Sequence, residues 1–211
     1  MTGNVTRPIE TVVFDLDGTL VHSLPDIHAA LNAVLPAMGR RVLAETETRL
    51  LIGGGARALI ADAFRATGRA GTEDEIEGCF ARFLSAYEAC PASRSHPYDG
   101  VVACLESFSA RGMKLCVCTN KPEGLTHLVL RGLGLARFFD SVVAGDTLAL
   151  KKPDAAPVLE ALARAGGRAE TAVMVGDSQT DAGAARAAGL PFIAVSFGYR
   201  RWRRQCWVPT P

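Results

Sequence analysis

Residues 11–19 read TVVFDLDGT, a four-residue apolar run that leads straight into two carboxylates, Asp15 and Asp17. The β-branched and aromatic side chains of the run predict a buried β-strand. In an extended chain, residues two apart face the same way, so both carboxylates point into one site while Leu16 turns into the core. The stretch therefore predicts an acidic site at the carboxyl end of a strand.

Four more short runs rich in apolar residues predict further strands, at residues 115–118, 141–144, 172–175 and 192–195. Helical patterns lie between them, at residues 101–111, 124–133, 155–165 and 180–188. Strands that alternate with helices are typical of a parallel, doubly wound α/β sheet, which binds its ligands outside the carboxyl ends of the strands. All the predicted strands except the last end at a polar cluster, so these clusters are the candidate site.

One long segment interrupts this alternation. Residues 24–92 contain no convincing strand and read as several helices separated by glycine turns. We interpret residues 23–92 as an inserted helical cap domain, and we assign residues 1–22 and 93–211 to the α/β core. The two short connections, near residues 21–25 and 93–100, form a plausible hinge pair.

The bulk composition favours a globular chain with a small-molecule ligand. Of the 211 residues, 48% are hydrophobic and 21% are charged, and the net charge of +1 gives no reason to expect nucleic acid as a partner. No apolar run reaches the roughly 18 residues of a membrane span, and residues 1–10 lack the apolar centre of a signal peptide. We expect a cytoplasmic protein without a membrane partner, and we leave open whether it is a monomer or a homodimer.

The acid pair at Asp15 and Asp17 suggests a site for a divalent cation. Two close carboxylates repel each other, and a hard cation such as Mg²⁺, which prefers oxygen ligands, offsets that repulsion. Gly18 follows the pair and lets the backbone turn sharply and approach a phosphate closely. We therefore expect magnesium as the cofactor and a phosphorylated small molecule as the ligand.

Two further clusters add groups that can hold a phosphate. Thr119 and Asn120 offer a hydroxyl and an amide at a strand end. Lys151 and Lys152 stand at the entry to a helix, and the pattern leaves the choice between them open. We favour Lys152, because Pro153 fixes the backbone beside it while Lys151 can stay outward.

The last cluster supplies two more carboxylates. Asp177 follows the strand predicted at residues 172–175, and Asp181 lies in the first turn of the next helix, where an acidic side chain is usually a cap. An acid pair, a hydroxyl, a lysine and an acid thus each follow a different strand. A carboxylate nucleophile can take up a phosphoryl group and split one hard displacement into two easier ones, while lysine and metal neutralise the phosphoryl oxygens.

These motifs resemble those of the haloacid dehalogenase superfamily of phosphatases. They are DLDGT at residues 15–19, TN at 119–120, KP at 152–153 and GDSQTD at 176–181, and the resemblance covers roughly residues 12–199. It implies that Asp15 attacks phosphorus and that Asp17 serves first as the general acid and then as the general base. It also implies that Thr119 and Lys152 hold the phosphoryl group.

The same resemblance implies a metal site and a phosphate cradle. Magnesium would be bound by Asp15, by the backbone carbonyl of Asp17 and by Asp177, with Asp181 and Ser178 holding those ligands in place. Gly18, Thr119 and Asn120 would contact the substrate.

Within the superfamily, the segments at residues 24–27, 53–57, 97–101 and 196–199 look like those of phosphoglycolate phosphatases. This implies 2-phosphoglycolate as the substrate. Sugar-phosphate phosphatases, pyrophosphatases and phosphomutases share the four motifs and remain alternatives. Arg57 is a candidate substrate contact, and a plain interhelical turn with a surface arginine is the alternative for its segment.

Two features depart from that pattern. His22 stands where such relatives usually carry Asp, and we interpret it as structural. An Arg- and Trp-rich tail, residues 200–211, stands where relatives continue with a strand and a helix, which leaves an inactive product of an altered terminus as an alternative. A phospho-acceptor signalling domain is disfavoured, because it has no helical insert after the nucleophile strand.

Overall fold

A parallel sheet of five strands forms the centre of the protein, which we describe from a computed structural model of residues 8–199. The strand order is β5-β4-β1-β6-β7, so the strand that leads into the acid pair lies in the middle. The five strands are β1 (Thr11–Phe14), β4 (Lys114–Cys118), β5 (Ser141–Val143), β6 (Ala172–Gly176) and β7 (Phe192–Ala194). A separate antiparallel pair consists of β2 (Val21–His22) and β3 (His96–Pro97).

Within residues 8–199, eight α-helices connect the strands. Four of them lie between β2 and β3: α1 (Leu24–Val34), α2 (Glu45–Leu51), α3 (Ala56–Ala66) and α4 (Glu73–Ala89). The other four alternate with the strands of the sheet: α5 (Val101–Ala110), α6 (Glu123–Gly132), α7 (Ala156–Arg164) and α8 (Gln179–Ala187). Short 3₁₀ turns occur at Pro36–Met38, Ala136–Phe138 and Ala169–Thr171.

The central strand is buried on both faces, as expected for a doubly wound sheet. Val12 and Phe14 belong to one hydrophobic cluster, which also contains side chains of α5, α6 and the inserted helices. Val13 faces the other way and packs in a second cluster with side chains of α7 and α8. Because successive side chains of a strand point to opposite faces, the four-residue run supplies both layers.

The predicted fold class is confirmed. Each of the five predicted strands is present, with ends that differ by no more than a residue from the prediction, and all neighbouring strands of the sheet pair in parallel. The insert is helical, as predicted. The domain boundaries at residues 22/23 and 92/93 stay a prediction.

Two connections join the inserted helices to the core, and they pair with each other. Val21 lies opposite Pro97 and His22 lies opposite His96 in the β2–β3 ladder. Buried Asp26, in the first turn of α1, accepts hydrogen bonds from the return connection, including Ser95 N–H at 2.8 Å. The two connections thus form one structural unit at the base of the insert.

Within residues 8–199, no helix combines the length and the apolar character that a bilayer crossing requires. The Arg- and Trp-rich tail, residues 200–211, lies outside the residues that the structure describes.

Candidate active site

The polar clusters meet at the carboxyl edge of the sheet because of the strand register. Phe14, the last residue of β1, pairs with Val117 of β4 on one side and with Val175 of β6 on the other. The loops after these three strands therefore leave the sheet at nearly the same level. They carry Asp15, Thr119 and Asp177, which are all buried.

Lys152 lies at the centre of the site. Its Nζ is 2.8 Å from Asp15 Oδ1 and 2.6 Å from Asp181 Oδ1, and only 2% of its side chain is exposed. Burial by itself lowers the pKa of Lys152, but the two carboxylates raise it above its ordinary value. Lys151, the other candidate, is exposed. Lys152 is thus a fixed positive charge beside the acid that follows β1.

Asp181 positions two parts of the site at once. Its Oδ1 accepts from Lys152, and its Oδ2 accepts from the Ser178 hydroxyl at 2.7 Å and from the backbone N–H groups of Ser178 and Asp177 at 2.9 and 3.2 Å. Ser178 in turn is the N-cap of α8 and accepts from Asp181 N–H. Both oxygens of Asp181 are therefore engaged in holding the lysine and the loop that carries Asp177.

Three buried carboxylates crowd the same space. Asp15, Asp177 and Asp181 each offer an oxygen, and these atoms all lie within 4.8 Å of one another. Burial raises the pKa of Asp15 to about 8, the Asp181 and Asp177 charges act in the same direction, and Lys152 acts in the opposite one. One ammonium does not balance three carboxylates, so the site fits an additional cation. An all-oxygen donor set of this kind suits Mg²⁺.

Asp17 lies on the side of the site that faces the insert. Its Oδ1 accepts a hydrogen bond of 2.5 Å from the hydroxyl of Ser23, which precedes α1. It also forms an ion pair with Lys121, whose Nζ is 3.2 Å from Oδ1. Gly18, directly after Asp17, has φ +90°, and a Cβ atom there would lie 2.6 Å from Asp177 Oδ2. Glycine is therefore required at this turn.

Thr119 and Asn120 follow β4, and their side chains differ in what they contact. The Thr119 hydroxyl oxygen accepts from Lys121 N–H at 3.2 Å and borders the pocket. The Asn120 amide bonds to both the N–H and the C=O of Lys152, at 3.1 and 3.0 Å, and it donates to the Gly53 carbonyl of the insert at 3.2 Å. Asn120 thus borders the pocket while it fixes the lysine loop.

Arg57 lies away from these groups. It forms ion pairs with Glu77 and Glu73 of α4, and 45% of its side chain is exposed. In the described part of the chain, the side chains that border the pocket do not include Arg57. The structure therefore favours the alternative in which this segment is an interhelical turn with a surface arginine. A contact between Arg57 and the substrate stays a prediction.

The pocket lies between the insert and the edge of the sheet, and its empty space, counted together with the open solvent at its mouth, is about 500 Å³. Its core side carries Asp15, Asp17, Thr119 and Asn120. Its other wall is apolar and is formed by Ile27, Ile52, Leu59 and Phe83 of the insert. An arrangement of this kind can bind a small polar group at the sheet and exclude water above it.

Three contacts of the site were not anticipated from sequence. Lys121 directly follows the TN motif in the sequence, and its ammonium is 3.0 Å from the Tyr87 hydroxyl of α4. Burial lowers the pKa of Lys121, but Asp17 and Tyr87 raise it above its ordinary value. Tyr199 N–H donates to Asp177 Oδ2 at 2.6 Å, and its hydroxyl accepts from Ser23 N–H at 2.7 Å. The signal for Lys121 was its position beside the Thr119 strand end.

Known proteins are similar to this chain in sequence and in fold. The haloacid dehalogenase-like hydrolase family matches residues 12–195. A phosphoglycolate phosphatase of Rhodospirillum rubrum is 46% identical over 196 residues, which span 91% of this chain and 81% of that protein.

Solved structures of similar fold are also known. One is described as a predicted phosphoglycolate phosphatase from Haemophilus somnus, with a TM-score of 0.83, 32% identity and coverage of 90% of this chain and 87% of that one. Another is CbbY of Rhodobacter sphaeroides, a variant in complex with xylulose-1,5-bisphosphate, with a TM-score of 0.79, 26% identity and coverage of 92% and 88%.

Proposed function

The chain belongs to the haloacid dehalogenase-like hydrolase family, and from that membership we propose that it is a magnesium-dependent phosphatase that hydrolyses 2-phosphoglycolate to glycolate and phosphate. The observation that carries the proposal is the Asp15 carboxylate, held 2.8 Å from the buried ammonium of Lys152 and grouped with Asp177 and Asp181. A carboxylate between a fixed cation and a cation-binding cluster is a nucleophile suited to an anionic phosphoryl group.

The first half-reaction is proposed to transfer the phosphoryl group to Asp15. A carboxylate oxygen of Asp15 attacks phosphorus, and the bond between phosphorus and the ester oxygen breaks. Asp17 gives its proton to that oxygen as it leaves, so glycolate departs as the alcohol. The contacts with Ser23 and Lys121 hold the Asp17 carboxyl in one orientation.

The second half-reaction is proposed to release phosphate. Asp17, now a carboxylate, takes a proton from water, and the water oxygen attacks phosphorus. The bond between phosphorus and the Asp15 oxygen breaks, which regenerates the free carboxylate. The apolar wall of Ile27, Ile52 and Phe83 limits access of bulk water during both steps.

Charge neutralisation is assigned to groups at the sheet edge. Lys152 and the Thr119 hydroxyl contact the phosphoryl oxygens, while Asn120, Asp181 and Ser178 hold the loops that present them. Bound Mg²⁺ would supply further positive charge against those oxygens, and the ligands that we propose for it are Asp15, the Asp17 backbone carbonyl and Asp177.

The choice of substrate is supported by a relative and by the pocket. The protein from Rhodospirillum rubrum, at 46% identity, is named a phosphoglycolate phosphatase. The apolar wall of the insert leaves room for a short leaving group beside Asp17. A sugar phosphate is the second candidate, because the structurally similar CbbY was crystallised with a sugar bisphosphate.

The first test is phosphate release from 2-phosphoglycolate, sugar phosphates and pyrophosphate by the purified protein, with magnesium or with a chelator. We expect magnesium-dependent release with the highest kcat/KM on 2-phosphoglycolate. Asp15→Asn should lower kcat by at least about 10⁴-fold, because an amide cannot act as the nucleophile.

Glu160→Gln, on the exposed surface of α7, is the matched control and should keep wild-type kinetics. Release that is unaffected in Asp15→Asn contradicts the mechanism. A preference for a sugar phosphate contradicts the substrate alone. A cytoplasmic location and the choice between monomer and homodimer stay predictions.

A further inference from the structure

Lys121 is a buried cation on the leaving-group side of the pocket. Its side chain is 4% exposed. The ammonium lies 3.2 and 3.3 Å from the two oxygens of Asp17 and 3.0 Å from the Tyr87 hydroxyl, and it also lies 4.4 Å from the centre of the Tyr87 ring. These contacts come from the core and from α4 of the insert, so they fix the position of the charge when the insert is packed on the sheet.

The ammonium has donor capacity beyond these two partners. An ammonium carries three N–H groups, and the acceptors around it are the two oxygens of Asp17, at 3.2 and 3.3 Å, and the Tyr87 hydroxyl, at 3.0 Å. The two Asp17 oxygens are nearly equidistant, so one N–H can serve this carboxyl group and one can serve Tyr87, which frees the third for another acceptor while both partners stay in place. Since Lys121 also borders the pocket, that acceptor can belong to a bound ligand.

Lys121 differs in charge from the other side chains of residues 8–199 that border the pocket. Among the side chains of residues 8–199 that border the pocket, two are acidic, Asp15 and Asp17, and Lys121 is the one that is positive. Lys152 lies deeper and is engaged by Asp15 and Asp181. The wall that the insert contributes is apolar, and the nearby Arg57 is paired with Glu73 and Glu77.

The chemistry of the proposed substrate requires a cation at this place. In 2-phosphoglycolate the carboxyl carbon is two bonds from the ester oxygen that Asp17 protonates. A general acid must be within hydrogen-bond reach of that oxygen. An ammonium in direct contact with the Asp17 carboxyl is thus close enough to meet the substrate carboxylate, which would otherwise lie unpaired beside Asp15 and Asp17 and be repelled.

We propose that Lys121 forms a carboxylate subsite, in which its ammonium binds the carboxylate of a phosphorylated 2-hydroxy acid while Asp17 and Tyr87 hold it in place. The inference rests on the proposed phosphatase function and names the group that selects the substrate. Esters of uncharged alcohols, such as sugar phosphates, do not use this contact. Lys121 therefore sets specificity through the leaving group, whereas Lys152 serves the phosphoryl group of every ester.

The test compares 2-phosphoglycolate with its neutral isostere, 2-phosphoglycolamide, in the wild-type protein and in Lys121→Gln. The wild type should favour the carboxylate over the amide by at least about 30-fold in kcat/KM, the size expected for a charge pair in a desolvated pocket. In Lys121→Gln that ratio should fall to within a few-fold of one. Lys151→Gln, which changes an exposed lysine, should keep the wild-type ratio.

The outcomes separate the two proposals. Magnesium-dependent hydrolysis of 2-phosphoglycolate with an unchanged ratio in Lys121→Gln overturns the subsite and leaves the proposed function standing. Equal kcat/KM values of the wild type for the two esters also overturn the subsite. This comparison needs no variant, so it tests the subsite even if Lys121→Gln does not fold. Hydrolysis of neither ester by the wild type overturns the proposed substrate together with the subsite.

Discussion

At the scale of single residues, Asp15 shows how strongly its neighbours change a carboxyl group. The residue is buried, its Oδ1 is 2.8 Å from the Lys152 ammonium, and the Asp177 and Asp181 carboxylates lie close to it. Burial is the largest cause that raises its pKa from 3.8 to about 8. A nucleophile must be ionised, whereas the site without a cation favours the protonated form of Asp15; a bound cation would favour the carboxylate.

This environment predicts a pH-dependent stability in the protein without magnesium. A carboxyl group whose pKa is higher in the folded chain binds its proton more tightly there, so the free energy of unfolding falls as pH rises from about 4 to about 8. Asp15→Asn cannot ionise and keeps the Asp181 partner for Lys152. It should therefore be more stable than the wild type at pH 8, by on the order of 1–3 kcal/mol.

The measurement is urea unfolding of both proteins in a chelator at pH 5 and pH 8. The difference between them should be small at pH 5 and should favour the variant at pH 8. A wild type that is as stable at pH 8 as at pH 5 would show that Asp15 does not titrate in this range.

At the scale of elements, two loops connect the insert to the catalytic edge. Tyr199 links three parts: its N–H bonds to Asp177, its hydroxyl accepts from Ser23 and Leu24 at the start of α1, and its carbonyl accepts from Arg49 of α2. The position of Asp177, which we propose as a magnesium ligand, is thus tied to the first two helices of the insert.

His22 lies next to this connection. It pairs with His96 across the β2–β3 ladder, and its ring is close to the Tyr98 and Tyr199 rings. Burial and the neighbouring His96 lower the pKa of His22. These contacts are with the connections rather than with the pocket, which agrees with the structural interpretation of this residue.

The glycine loop after α2 contacts the core directly. Gly55 has φ +86°, and a Cβ atom there would lie 2.6 Å from the Asn120 backbone carbonyl. We expect Gly55→Ala to move the loop or the Asn120 backbone and to lower kcat/KM on 2-phosphoglycolate by about 10-fold, since the side chain of Asn120 fixes the Lys152 loop.

Gly53→Ala is the matched control for this prediction. Gly53 also has a positive φ, +129°, but a Cβ atom there meets no atom within 4 Å. Both variants should lose about 1–2 kcal/mol of stability from the backbone conformation. Only Gly55→Ala should also lose activity. Equal values of kcat/KM in the two variants would contradict the role of the loop contact.

At the scale of the whole molecule, the insert and the core share one hydrophobic cluster. Val12 and Phe14 of the sheet belong to the same set of packed side chains as Ile60 and Phe83 of the insert. Together with the paired connections, this packing should make the described part of the chain unfold as one unit, so a ligand bound at the sheet edge stabilises the entire fold.

Magnesium should therefore raise the melting temperature of the protein. At about 100 times the dissociation constant, a ligand that binds only the folded state adds roughly 2.7 kcal/mol, which corresponds to about 5–10 °C for a chain of this size. In Asp177→Asn that increase should be lost while the metal-free protein still folds, because the Asn oxygen can accept from Tyr199 N–H. Differential scanning fluorimetry with increasing Mg²⁺ measures both effects.

Calcium-free buffers and the Glu160→Gln protein serve as controls, and Glu160→Gln should respond to magnesium like the wild type. A full magnesium response in Asp177→Asn would exclude this carboxylate from the metal site.

The sequence alone determined the α/β sheet, the helical insert and the chemistry of the strand ends. Apolar runs such as Thr11–Phe14 and the acids that follow them are local patterns, and the parallel topology brings their ends together. Asp15, Thr119, Lys152 and Asp177 could be identified in this way, because each follows its own strand or enters its own helix.

Only the tertiary structure decided which distant side chains meet. Lys121 and Asp17 are 104 positions apart, and Tyr199 and Ser23 are 176 apart. No local periodicity encodes such pairs, since they depend on how the insert packs on the sheet. The same packing places Arg57 against the acids of α4 and leaves Lys121 as the positive charge in the described pocket. Local sequence patterns were therefore sufficient to predict the type of reaction, whereas long-range packing determined the contacts that can select the substrate.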